Sequence, residues 1–400
     1  MNFTTKEDKK ESYFLSQPHQ PFFILGVISA IVMMLIFALN YKGVINLTVH
    51  TLSFHIYSLV FIVFTNIFTG FLFTTFPRFC QYKVIEKSYY INLFYASVIG
   101  SLLYLLGSFI SHIVLLLGMT TLFLAHIFIV KKLHEIYKDG ASSDKKDAFW
   151  ILTAHYFGLL GNLLFLTIEL NNYIGLDIEL LKLTTNISFY LYLIFLAFSV
   201  AQRMVPFFSH SFAVKNNNFV KIIFALFVLK TILSSLDIKI AEIIIDLLLA
   251  GYLFVEFRRW ELKPFQSPAI LWVLHLALLW LPLAFLISAI TLSGEFLLDT
   301  SFYYLNIHLL AIGFLTTILI GFGTRVTLGH SGQPPQANKL TINLFFFIQL
   351  IVLLRALYSL NIAFGWGFNF LFDISFSAWL ILFLIWGIKY GKVLIFGSKI

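Results

Sequence analysis

Long apolar runs, broken by short stretches of charge, Pro/Gly or Asn, fill the sequence from end to end. They fall near 21–39, 52–76, 91–110, 112–130, 148–170, 184–201, 219–236, 240–257, 268–292, 302–326, 341–360 and 374–396. Each approaches or exceeds the about 20 residues that carry a helix across a bilayer. The pattern predicts an all-α, polytopic protein of twelve transmembrane helices, with 91–130 and 219–257 as tight hairpins. The first run, Phe22 to Leu39, is long for a signal-peptide core and lacks an A-x-A cleavage site, so it predicts an uncleaved first span. The expected organisation is a tail over 1–20, one transmembrane domain over 21–396 and a short end over 397–400. No soluble domain, low-complexity segment or clear internal repeat is visible.

Composition strengthens this reading. AVILMFWYC residues make up 60% of the 400, and mean hydropathy is +0.90. Charged residues make up only 12%, about half the usual share in soluble chains. The single cysteine, Cys80, excludes a disulfide framework and any cysteine-built zinc or iron–sulfur site. A net charge of +8 could suggest nucleic acid, but the basic residues lie in short loops between apolar runs. The membrane explains them better, and no nucleic-acid partner is expected.

Those loops also fix an expected orientation. Lys6, Lys9, Lys10, Arg78, Lys83, Lys87 and the lysines of 131–147 fall on one side. Arg203, Lys215, Lys221, Arg258, Arg259, Lys263, Arg325, Lys339, Lys389, Lys392 and Lys399 join them. The opposite side holds only Lys42, Lys182 and Lys239. The positive-inside rule then places both termini in the cytoplasm.

Ionisable residues inside spans are the functional candidates. His55 in span 2 and His308 in span 10 lie one to two turns below the outer face. Arg355 in span 11 and Lys230 in span 7 share that layer. A haem in a helix bundle needs axial nitrogen ligands from facing helices and cations or donors for its propionates. His55 with His308, topped by Arg355 and Lys230, meets both needs. The alternative is that these histidines only hydrogen-bond between helices. His308 and His330 are about 33 Å apart along a helix and cannot share a site.

The remaining polar positions read more plainly. His155, Asn162 and Glu169 share one face of span 5, as a polar route or as interhelical hydrogen bonding. His275 in span 9 shares a depth with His155 and could form a second metal site with it. His19, His126, His134 and His210 are expected at or near the cytoplasmic surface. Asp246 has no evident partner, and Cys80 reads as a cytoplasmic, inert thiol.

One stretch has a specific signature: His308-Leu-Leu-Ala-Ile-Gly313, then Thr324-Arg325-Val-Thr-Leu328-Gly329-His330-Ser331-Gly332. It resembles the NnrS family of haem- and copper-containing membrane proteins. Pro21-Phe22-Phe23, Gly70-Phe71-Leu72 with Pro77, Gly161-Asn162-Leu163-Leu164-Phe165, Arg203-Met-Val-Pro206, and Leu274-His275-Leu276 with Trp280 are also similar, in the right order along nearly the whole chain. The resemblance implies twelve spans, bound haem, a link to nitric-oxide metabolism and protection against nitrosative stress. It carries over His55, His275, His308, Arg325 and His330 as motif positions, with Gly329 and Arg203. Many members have His-x-His-Glu at the start of span 2, where this chain has His55-Ile-Tyr57-Ser58. A copper site using the second His and the Glu therefore lacks two donors here.

The layout is also similar to the catalytic subunit of haem–copper oxidases, whose low-spin haem is held from spans 2 and 10. Spans 6 and 7 carry no histidine and no His-His pair occurs, so the oxidase reduction centre cannot be built. The expectation is a b-type haem between His55 and His308, serving electron transfer or binding of nitric oxide or another diatomic gas. The rivals are a secondary transporter, with Gly321-Phe-Gly323 as a flexible break, and a membrane regulatory or assembly protein.

Overall fold

A computed structural model describes residues 12–175 and 180–397. Lys6, Lys9, Lys10 and Lys399, which contribute to the expected orientation, lie outside the described residues. No strand occurs among the described residues. The long helices are α1 (His19–Tyr41), α2 (Thr51–Phe79), α3 (Lys87–Ile110), α4 (His112–Asp139), α5 (Lys146–Ile174) and α6 (Leu181–Phe208). They continue as α7 (Phe219–Ser235) and α8 (Lys239–Arg259), then α9 (Ala269–Leu298), α10 (Leu305–His330), α11 (Lys339–Phe364) and α12 (Phe370–Phe396).

Ten of these are long and apolar enough to cross a membrane. The other two are α7, only 17 residues long, and α8, which carries Glu242, Asp246 and Glu256 along its length. The molecule is thus an all-α, multi-pass membrane protein.

The twelve helices sort into two kinds. Along α2, α6 and α10 the charged residues keep to the ends, and apolar side chains point all round. A helix of that kind belongs inside a bundle, and these three are the most deeply buried of the apolar spans. The outer helices keep apolar residues on their outward faces as well. Leu102 and Leu106 on α3, and Ile113 and Leu117 on α4, are exposed, as suits contact with lipid tails. The α3–α4 hairpin closes through glycine: a Cβ on Gly107 would lie 2.1 Å from the Leu115 nitrogen. Only a residue without a side chain lets the two backbones meet so closely.

The buried three share a second feature. Each contains a π-helical segment: Ser58–Phe64 in α2, Ile187–Ile194 in α6 and Leu309–Thr316 in α10. The segments pack in series, α2 on α6 and α6 on α10. Threonines fill two of the widened turns. The Thr65 hydroxyl donates to the Val60 carbonyl at 2.8 Å, and Thr316 donates to Ala311 at 2.8 Å, each five residues back. Such segments are rare and concentrate at functional sites. The amino-acid pattern gives no sign of this shared feature of the three buried helices. Beyond its π segment α10 runs unbroken as α-helix from Thr317 to His330, so Gly321-Phe-Gly323 is not a break. At Gly321 the missing side chain makes room for Leu274 of α9.

Candidate functional site

Two of the π segments begin directly after, or one turn after, a histidine. His308 ends the first turn of α10, and His55 lies one turn before the π segment of α2. The two imidazoles come together with ring centroids 6.4 Å apart and planes inclined by 19°. Phe37 of α1 backs the His55 ring at 4.0 Å.

The hydrogen bonding differs between the two rings. His308 Nδ1 lies 2.8 Å from the Tyr304 carbonyl oxygen. A carbonyl only accepts, so this assigns the proton to Nδ1 and leaves the Nε2 lone pair free for a metal. A second bond of this kind fixes tautomer and ring angle in metal-binding histidines. The Nδ1 of His55 is buried without a partner, a polar atom that the protein itself leaves unsatisfied.

The backbone that makes this possible is strained. Tyr303 and Tyr304 adopt φ of 42° and 58°, the left-handed region that side chains disfavour. The double inversion turns successive carbonyls to two tasks. Tyr304 orients His308, while the Tyr303 carbonyl accepts from Arg355 Nη2 at 3.3 Å and from the Ser359 hydroxyl at 3.1 Å. Strain of this kind persists where the surroundings over-determine it.

Arg355 is held by neutral groups. Its Nη1 donates to the Ser359 hydroxyl at 2.5 Å, and its guanidinium lies over the rings of Tyr358 at 5.2 Å and Tyr303 at 5.8 Å. Burial first, and the hydrogen bond with Tyr41 second, push the Tyr303 phenol up to about 12, so it is uncharged. Arg355 is near enough to act electrostatically on both His55 and His308.

Lys230 does not join this layer as a free cation. It is fully buried and sits 2.7 Å from Glu242 Oε1 and 2.7 Å from Asp246 Oδ2. Asp246, without an evident partner in the sequence, has Lys230. The α7–α8 hairpin turns at 236–238, so residues eight positions either side of Ile238 face each other. That register was the available signal.

The other histidines also find partners the sequence did not indicate. His155 and His275 do not pair. His275 Nε2 bonds the Ser209 hydroxyl at 2.7 Å, whereas His155 Nδ1 lies 3.4 Å from His126 Nε2. His126 is buried, not at the surface, because α4 runs nine residues past the expected end of span 4. At the far end of α10, His330 lies against His19 of α1, ring centroids 4.9 Å apart. His19 is buried as well. No group of three or more His, Cys, Asp or Glu side chains converges as a metal site among the described residues.

The remaining motif residues are structural in their contacts. Arg325 covers Phe208 at 3.9 Å; Arg203 pairs with Asp147 at 3.0 Å and covers Phe79 at 4.4 Å. Gly329 has open space where a side chain would be. A Cβ on Gly313 would lie 2.7 Å from the Trp280 ring. Along α5, Asn162 accepts from the Tyr57 hydroxyl at 3.2 Å, and the Glu169 backbone carbonyl oxygen lies 3.0 Å from His112 Nε2; these are interhelical bonds. Cys80 is buried.

These features define a multi-pass helical membrane protein with imidazole pairs set at the two ends of α10, the end that holds His55 and His308 bearing a half-buried arginine. The sequence profile described as NnrS protein matches residues 13–396, nearly the whole chain, and the chain belongs to that family. Comparison with curated proteins gave no match.

Proposed function

We propose that this chain is a haem protein of the bacterial inner membrane, with a b-type haem held axially by His55 and His308. Its role in this reading lies in nitric-oxide metabolism and protection against nitrosative stress. The observation that carries it is the spacing of the two rings. Two metal–nitrogen bonds of about 2 Å, plus about 1 Å from each nitrogen to its ring centre, separate axial imidazole centroids by about 6 Å. The observed 6.4 Å agrees, and the free Nε2 of His308 supplies the required lone pair.

Arg355 supports the same reading. A half-buried guanidinium whose bonding partners are a hydroxyl and a carbonyl can still take an anion, and a haem propionate is one. The bound haem would supply electron transfer or a site for nitric oxide or another diatomic gas. The chain's own part is to fix the imidazole angles, neutralise a propionate and exclude water with Phe37 and the tyrosines. The distribution of basic loops supports cytoplasmic termini, which puts this site in the periplasmic half of the membrane.

Copper has a second, separate candidate. His126 Nε2 and His155 Nδ1 at 3.4 Å match the edge of a tetrahedral nitrogen set with bonds of about 2 Å. Their other ring nitrogens are buried and unpartnered. The test of the haem reading is the absorption spectrum of the purified protein, before and after dithionite and nitric oxide. A Soret band that shifts on reduction and on adding nitric oxide is expected; a colourless, well-folded protein overturns the reading.

A further inference from the structure

We infer that Lys230, Glu242 and Asp246 form a proton-binding site inside the helical domain, with the proton on Asp246 Oδ1. The three side chains are almost wholly sealed: Lys230 and Asp246 have no exposed surface, and Glu242 has 5%. One ammonium lies 2.7 Å from both carboxylates. With every group in its ordinary state, one positive and two negative charges leave a net negative charge in a low-dielectric interior. Burial of an uncompensated charge is strongly disfavoured.

The groups that face the cluster do not supply a second positive charge. From α6, Tyr190 places its ring 5.7 Å from the ammonium. From α9, Ser288 lies close to Asp246, and its oxygen accepts from Asn306 at 3.2 Å. Beside Lys230 on α7 is the Thr231 hydroxyl, buried without a partner. Lys182, at the start of α6, is paired on the exposed surface with Asp237 of the α7–α8 turn. A bound proton is the smallest group that restores neutrality.

Geometry chooses between the two carboxylates. Asp246 Oδ2 bonds the lysine, but Oδ1 is buried with no hydrogen-bond partner. A protonated Oδ1 carries a single O–H, for which the neighbouring Ser288 oxygen is the acceptor at hand, whereas an anionic Oδ1 would demand several donors. Glu242 lies one turn from Asp246, about 6 Å along α8, and nearer the exposed Lys182–Asp237 pair at the end of the hairpin. It is the route by which the proton exchanges with water. This site does not depend on the haem reading, since none of its residues contacts His55 or His308.

Infrared difference spectroscopy of the full-length protein in nanodiscs at neutral pH tests it. The wild type should show a protonated-carboxyl C=O band that shifts in D2O and is missing from Asp246→Asn. Glu242→Gln should lose the same band, because one carboxylate opposite one lysine needs no proton. Lys230→Met should strengthen the signal, since both acids must then be neutral. Asp246→Asn mimics the proposed protonated state and should fold as well as the wild type, so the test survives if Lys230→Met does not fold. A wild-type spectrum identical to that of Asp246→Asn in this region overturns the proposal, as does a band that Glu242→Gln leaves unchanged.

Discussion

Two cations, the half-buried Arg355 and the fully buried Lys230, lie inside the same helical domain, and their surroundings differ in kind. Arg355 is bonded to a hydroxyl and a carbonyl and faces tyrosine rings. Lys230 is bonded to two carboxylates. The first environment has too little negative charge, and the second has too much. A guanidinium without an acid suits an incoming anion such as a propionate, whereas a lysine with two acids suits an incoming proton. From sequence alone both were simply intramembrane cations at similar depth; the partners separate them.

The largest effect is expected at Lys230. Lys230→Met leaves the Glu242 carboxylate buried without its counter-ion and should destabilise the protein by about 3–5 kcal/mol at neutral pH. Denaturation in detergent should show the deficit shrinking as pH falls, because protonating that carboxylate removes the stranded charge. An equal deficit at all pH values would break the contrast with Arg355. Next, Arg355→Ala should weaken haem retention by roughly tenfold or more, the equivalent of about 1.5–3 kcal/mol for a charged hydrogen bond. It should leave the axial coordination unchanged, which haem titration of the stripped protein would check. Gly313→Ala drives a methyl into the Trp280 ring and should cost about 1–3 kcal/mol, read as a lower melting temperature. Orientation carries no energetic effect but sharpens the depth of both sites. Cys80 is buried, so Phe212→Cys in a Cys80→Ser background is the better reporter, Phe212 being 98% exposed. It should label with an impermeant thiol reagent only after spheroplasts are permeabilised.

Much of this architecture is legible in the sequence because bilayer spans are written as apolar runs bounded by charge. All twelve runs correspond to helices. The proximity of His55 and His308 was also legible, since both lie near the start of their helices. The failures arise where helices outlast their apolar runs. The segment 131–139 of α4 is rich in lysine yet helical, and that extension moved His126 from an expected surface to the interior. The π segments leave no mark, because an apolar run has the same composition in either helical form. The left-handed Tyr303–Tyr304 pair was also invisible, since neither residue type favours that backbone. Lys230 and Asp246 were the missed opportunity, as a tight hairpin fixes which residues oppose each other.

The most direct test is the coordination state of the haem in His55→Ala and His308→Ala, followed by absorption and electron paramagnetic resonance on purified, well-folded protein. Each single variant should lose the low-spin, two-imidazole signature, through loss of haem or conversion to a five-coordinate form that binds nitric oxide more readily. Retention of the wild-type spectrum in both variants would contradict the account.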